Sequence, residues 1–410
     1  MECHKPWHPW VVDDTAGVGA RAARARKLAG FSQRQLAERA NVSLSLLRKV
    51  EQGHRPASPA FTAAVARALG LSPSALYGQP YEATTRTEAA VHAAIPELRR
   101  ALVAFDNDDL PDPPPTLDEL LARLDRIREA NRRARFGEAT AGLPDVLRGL
   151  HYAAGIEPAG QRRERIMTAL AYAYSKAMLA AYQFGYLDLA GLAAERCCWA
   201  AAQSGDPLWP IAAEYNRALI LLYSGAYTAG LRVIDRAYTD TETLPTEPDT
   251  LAVRGALHLR GSILSARAAN AQTAEAHLTG AREIAQQLAD TRFNHYGTGF
   301  RPSNVDIHSV SVPVELCDGT TAVTRAVRLH LPPGTAPCRV GHHHVDVSRA
   351  WLLHGNRDKA ITSLLEARRV APELTRYHPQ VHETLRALAR DDRRTTTAVA
   401  NMARWAGVTL

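Results

Sequence analysis

SQRQLAERANVSLSLLRKVEQGHRP, residues 32–56, decides how the first part of this chain is read. Ser32 stands where a helix N-cap belongs, and Gln35 follows three residues on, an S-x-x-Q capping box. Leu36 and Ala37 turn inward, and Ala37 is small enough to let a second helix approach closely. Asn41 tolerates the left-handed backbone that ends a helix, and Val42 plugs the turn. Ser43 caps the next helix, Leu47 and Val50 point to the core, and Gly53 stops it. Leu44, Ser45, Arg48 and Lys49 are left on the outward face. Two short helices joined by a tight turn, the second with an apolar back and a basic front, have the shape that enters a major groove.

Charge placement points the same way. Through residue 80 there are 11 Lys and Arg against 5 Asp and Glu; the whole chain has 49 against 42, which leaves 38 against 37 for the remainder. The positive excess therefore sits almost wholly on the first part, where a basic face releases condensed counterions on meeting a nucleic acid.

On these residues the stretch from about Arg21 to Tyr77 resembles the XRE, or phage-repressor-like, helix-turn-helix family. The resemblance implies a five-helix domain that binds double-stranded DNA within a homodimer. It implies that Gln33 meets a backbone phosphate, that Leu44, Ser45 and Lys49 reach base edges, and that Arg26 and Glu51 form a structural ion pair. Ser43, Arg48 and Arg55 complete the expected DNA contacts, Arg48 at a base or phosphate and Arg55 at the backbone. Leu44 departs from the many relatives that carry Gln, Arg or Lys there. It can touch a thymine methyl but cannot read a donor–acceptor pattern.

The rest of the chain reads as all-α. Residues 1–14 form a tail, 15–80 the DNA-binding domain, 81–136 a helical connector and 137–410 a tetratricopeptide-like α-solenoid. The acidic, proline-rich break DNDDLPDPPPT at 106–116 predicts a semi-stiff spacer within the connector. Paired helices recur beyond it. In the clearest pair Trp351, Gly355, Ala360, Leu364, Ala367 and Pro372 fall at tetratricopeptide spacing. Looser pairs use Gly185, Ala190 and Cys197; Gly225, Gly230, Ile234 and Ala237; and Gly261, Ala274, Leu278 and Ala281. A degenerate unit occupies 299–323. No single pair buries its apolar face alone, so the pairs stack.

The combination resembles a class of bacterial regulators, and NVDIHSVSVPVEL (304–316) and HPQVHETL (378–385) look like the same class. The plan is similar to that of RRNPP-type peptide receptors, which implies that the solenoid's concave face takes a signalling peptide or small molecule. Candidate ligand residues are Asn216, the pair Arg254 and His258, and the pair Asn304 and His308. Asn216 qualifies because an amide meets both the donor and the acceptor of a peptide bond. Pro302 and the loop 294–301 are candidates for a lid.

Other chemistry is not indicated. No apolar run matches a signal peptide or a membrane span, and five unpaired cysteines fit a reducing compartment, so a cytoplasmic protein is expected. His342, His343 and His344 near Cys338 are adjacent in sequence and would point apart on a helix, so they predict a polar helix start and no metal site. Without a Walker loop, H-E-x-x-H or G-x-S-x-G, neither an enzyme nor a cofactor is expected. The sequence thus predicts a dimeric transcription regulator with a helical sensor domain. The competing readings are a protein-interaction adaptor whose helix-turn-helix does not bind DNA specifically, and an array that serves dimerisation alone.

Overall fold

The structure is a computed structural model and describes residues 17–81, 86–103, 113–288, 296–390 and 397–410. The tail at 1–14 lies outside them, as does most of the proline-rich break. Among the described residues there are twenty-one helices and no strand. Five short ones come first: α1 (Val18–Leu28), α2 (Gln33–Ala40), α3 (Leu44–Glu51), α4 (Pro59–Leu69) and α5 (Pro73–Tyr77). Then follow α6 (Arg86–Val103), α7 (Leu117–Arg132), α8 (Phe136–Ile156), α9 (Gln161–Gln183) and α10 (Leu187–Ala201). Next are α11 (Leu208–Tyr223), α12 (Tyr227–Glu242), α13 (Pro248–Arg267), α14 (Ala271–Ala285), α15 (Pro302–Glu315) and α16 (Gly319–Ala326). The last are α17 (Pro337–His354), α18 (Arg357–Val370), α19 (Pro372–Tyr377), α20 (Pro379–Arg390) and α21 (Thr397–Ala406).

Serines start four of the first five helices. Ser32, Ser43, Ser58 and Ser72 each accept a hydrogen bond from the third residue of the helix that follows. Each cap satisfies an orphan N–H and is worth about 1 kcal/mol. The capping box at Ser32 and Gln35 is complete, and Asn41 ends α2 in the left-handed region at φ 52°. Leu36, Leu47, Val50, Phe61, Val65 and Leu76 fill a core that belongs to this domain alone.

The remaining helices stack on their sequence neighbours around a second, larger core. Gly355 (φ 88°) turns the chain from α17 into α18, and Ala360, Leu364 and Ala367 are buried between the two, as the repeat spacing predicts. The degenerate unit at 299–323 folds as α15 and α16. Helix α15 is buried on most sides, polar residues such as Asn304, Ser311 and Glu315 included, so its sequence shows no single apolar stripe. The spacer expected at 106–116 lies mostly outside the described residues, but the helices on either side of it are placed. Ile95, Leu98 and Leu102 of α6 and Leu120, Leu124 and Ile127 of α7 join the array's core, and both helices pack on α8. Among the described residues no helix is long and apolar enough to cross a membrane.

The first domain docks on the array. The Val18 amide donates to Glu383 Oε1 at 3.2 Å, and Gln380 Nε2 donates to the Tyr77 hydroxyl at 3.2 Å. Tyr81 stacks on His382 at 4.1 Å between centroids. Ala63 of α4 meets Gly225, where a Cβ would stand 2.6 Å from the Ala63 Cβ. Only glycine allows so close an approach there, and its φ of 74° is left-handed as well.

Candidate nucleic-acid interface and interdomain cavity

Helix α3 presents Ser45, Arg48 and Lys49 to solvent, while Leu47 and Val50 are buried behind them. Its position is fixed by Glu51, which receives a bidentate pair from Arg26: Nε to Oε1 at 2.7 Å and Nη2 to Oε2 at 3.0 Å. Arg26 Nη1 also donates to the Phe31 carbonyl at 2.9 Å, tying α1, the α1–α2 loop and α3 together. The ion pair implied by the resemblance is therefore present. Ser43 is exposed and its hydroxyl accepts from the Leu46 amide at 3.1 Å.

Three residues of the expected interface sit differently from their sequence reading. Leu44 is half-buried against the domain core and so presents only part of its side chain outward. Gln33 does not stand free: its Nε2 donates to Glu51 Oε2 at 2.8 Å, and its Oε1 accepts from Arg48 Nε at 3.4 Å. The cause is geometric, since the first residue of α2 lies over the end of α3. Arg55 is exposed but lines the groove between this domain and the array, together with Leu46 and Leu352.

A cavity of about 240 Å³ lies where the two parts meet. Pro59, Tyr77 and Gln79 close it from the first domain; α9, α11, α13, α15 and α17 form its other walls. Of the ligand residues expected from sequence, the fold brings three to it: Asn216, Asn304 and His308. The Asn216 amide donates to Cys197 Sγ at 3.8 Å. His308 Nδ1 lies 2.8 Å from the Asn304 carbonyl, and burial pushes the imidazole down to about 3. The Asn304 Oδ1 is buried without a hydrogen-bond partner.

Arg254 and His258 are not part of it. Arg254 donates from Nε and Nη2 to the Thr241 hydroxyl and carbonyl at 2.8 and 2.6 Å, which ties α13 to α12. His258 Nδ1 lies 3.0 Å from His277 Nδ1 against α14. The cavity face of α13 carries Arg260, Ile263 and Arg267 instead, most of a half-turn round the helix. That i, i+3, i+7 stripe is visible in the sequence, but nothing local says which stripe faces the hollow. The three histidines also differ from expectation. They lie one turn inside α17, not at a polar start, and His343 is only 6% exposed. His342 faces the cavity, edge-on to His378 at 5.5 Å, and burial pushes it down to about 4. The described part of the 294–301 loop crosses the cavity rim at Gly297.

Sequence reading missed the strongest charges. Lys176 is 8% exposed within α9, its Nζ over the Tyr172 ring at 4.4 Å. A single lysine in the apolar run AYAYSKAMLAAY was the available signal. Arg339 and Arg260 flank Tyr215, and Arg260 lies over its ring at 4.4 Å. Burial pushes the Tyr215 phenol up, but the two guanidiniums outweigh it and leave the group below its ordinary range. Below them Glu315 is gripped by Arg267 at 3.1 Å and Arg349 at 2.9 Å. Burial raises the Glu315 carboxyl, and the two arginines more than reverse this, to about 2.

Comparison with known proteins agrees with the first domain. Residues 18–76 match the family model of a helix-turn-helix domain. No curated protein matches the chain. Among solved structures, the chain is similar to a crystal structure of Bacillus thuringiensis PlcR in complex with the peptide PapR7 and DNA. The identity is 15%, with 66% of this chain and 94% of that chain covered, and the TM-score is 0.30. By its caps, its turn, its internal ion pair and this match, the stretch from Val18 to Leu76 is a helix-turn-helix domain, and it precedes an all-helical, repeat-like array.

Proposed function

We propose that this protein is a sequence-specific DNA-binding transcription regulator whose tetratricopeptide-like array pairs two copies and senses a signal. One observation carries the reading. The exposed Ser45, Arg48 and Lys49 project from a helix that Ser43 caps and that the Arg26–Glu51 pair anchors to the rest of its domain. A rigidly held helix with a basic front is what base-edge recognition demands. In this reading Lys49 and Ser45 contact bases, Leu44 offers a methyl-sized apolar edge, and Arg48, Gln33, Ser43 and Arg55 hold the phosphate backbone. Two copies related by a dyad would read half-sites about 34 Å apart, one helical turn of DNA. The shared cavity supports sensing, since a molecule held there touches both the DNA-binding domain and the array.

A gel shift on DNA upstream of the protein's own gene, titrated with salt, tests the proposal. A shift that survives excess random competitor, with the linear salt dependence of phosphate contacts, is expected. Failure to prefer any fragment over competitor at low salt would leave the adaptor reading instead.

A further inference from the structure

The geometry points to the interdomain cavity as a binding site for a small organic anion, one carrying a carboxylate or a phosphoryl group. The inference deepens the sensing part of the proposed function and rests on it. Five cations line the cavity, Lys176, Arg260, Arg267, Arg339 and Arg349, against two carboxylates, Glu315 and Asp346. Arg267 and Arg349 are held by Glu315, and Arg349 also by Asp346 at 3.0 Å. Three cations remain, and among the described residues none of them meets a carboxylate. Lys176 has only an aromatic face beneath it, and Arg260 Nε is buried with no hydrogen-bond partner. Arg260 and Arg339 share a single phenol, that of Tyr215.

Lys176 is buried and Arg260 and Arg339 are half-buried; like charges drawn out of water without counter-ions are costly, and a molecule that supplies the missing negative charge relieves that cost. The desolvated Lys176 ammonium, pushed down to about 8, shows the same strain. Asn304 Oδ1, also unpartnered on the cavity wall, adds an acceptor for a hydroxyl or amide on the same ligand. Size narrows the class. A cavity of about 240 Å³ falls below the roughly 300–1,000 Å³ of sites that bury drug-sized molecules, so it suits a metabolite-sized anion and not an extended peptide.

The full chain, free of DNA, is melted with 10 mM inorganic phosphate or succinate, against sodium chloride at equal ionic strength. At least one of the two anions is expected to raise the melting temperature by about 2 °C or more beyond the chloride control. The response should vanish in Lys176→Met, which keeps the side chain's length without its charge, and persist in the surface control Lys359→Met. If Lys176→Met does not fold, Arg339→Gln carries the same test. A response to phosphate alone assigns a phosphoryl ligand, and to succinate alone a carboxylate. A response to neither, or one that Lys176→Met or Arg339→Gln retains, overturns the inference. Because no DNA is present, this result is independent of the gel shift.

Discussion

Lys49 and Glu315 show how differently two charged residues act in one chain. Lys49 is exposed on α3, and in the proposed function its contribution is to DNA. Lys49→Ala should cost about 1–3 kcal/mol on operator DNA and much less on random DNA, whereas Arg55→Ala should weaken both alike and lower the salt slope by about one. Equal losses on both DNAs for both variants would reject that division of roles. Glu315 is 7% exposed between Arg267 and Arg349, so its contribution is to the fold. Glu315→Gln leaves the buried Arg267 guanidinium without a counter-charge and Arg349 with Asp346 alone, and should destabilise by about 3–5 kcal/mol, read as a fall in the denaturation midpoint. Neither the ion pair of Glu315 nor the exposure of Lys49 can be read from residue type. Lys49 was legible because caps and apolar spacing fix the face of a short helix. Glu315 was not, because its partners lie 48 and 34 residues away.

Helices carry the next level of specification. The capping serines and Asn41 define α2 to α5 almost residue by residue, since each cap is a local hydrogen bond. Helix faces in the array are another matter. A stripe at i, i+3 and i+7 says that a helix is packed on that side, yet α13 is packed on several sides. Arg254 and His258 therefore formed a plausible pair in sequence and turned out to brace α12 and α14. Docking of the first domain also belongs to this level. Ala63 is buried although it lies outside the first domain's own core, so its neighbour is the Gly225 turn of the array. Ala63→Leu should loosen that contact while sparing the first domain's packing. Hydrogen exchange at the Val18 amide, now bonded to Glu383, is the check, and exchange should quicken at least tenfold. Unchanged protection there would mean that the turn does not hold the domain.

At the scale of the whole molecule, buried histidines set the response to acid. Burial pushes His151, His258, His342 and His343 down to about 4, and His308 and His382 to about 3. Above the ordinary histidine range both folded and unfolded chains are neutral at these sites. As pH falls below about 6.5 the unfolded chain takes up protons that the folded chain refuses, so stability drops from there toward pH 4. Glu315 adds a second loss, because its carboxyl titrates near 4.5 unfolded and about 2 folded, and the stabilisation vanishes across that window. Urea midpoints between pH 7 and 5 should fall steeply, and a flat profile would contradict the burial of these rings. The sequence by itself determined the all-α character, the helix-turn-helix and its outward basic face, and the helical pairing around Gly355, because each depends on contacts within a few residues. Only the tertiary structure decided that the connector helices join the array, that the first domain docks on it, and that three cations without carboxylate partners among the described residues line the cavity at the seam. Those features arise from residues far apart along the chain, and their proximity is set by how the two cores pack together.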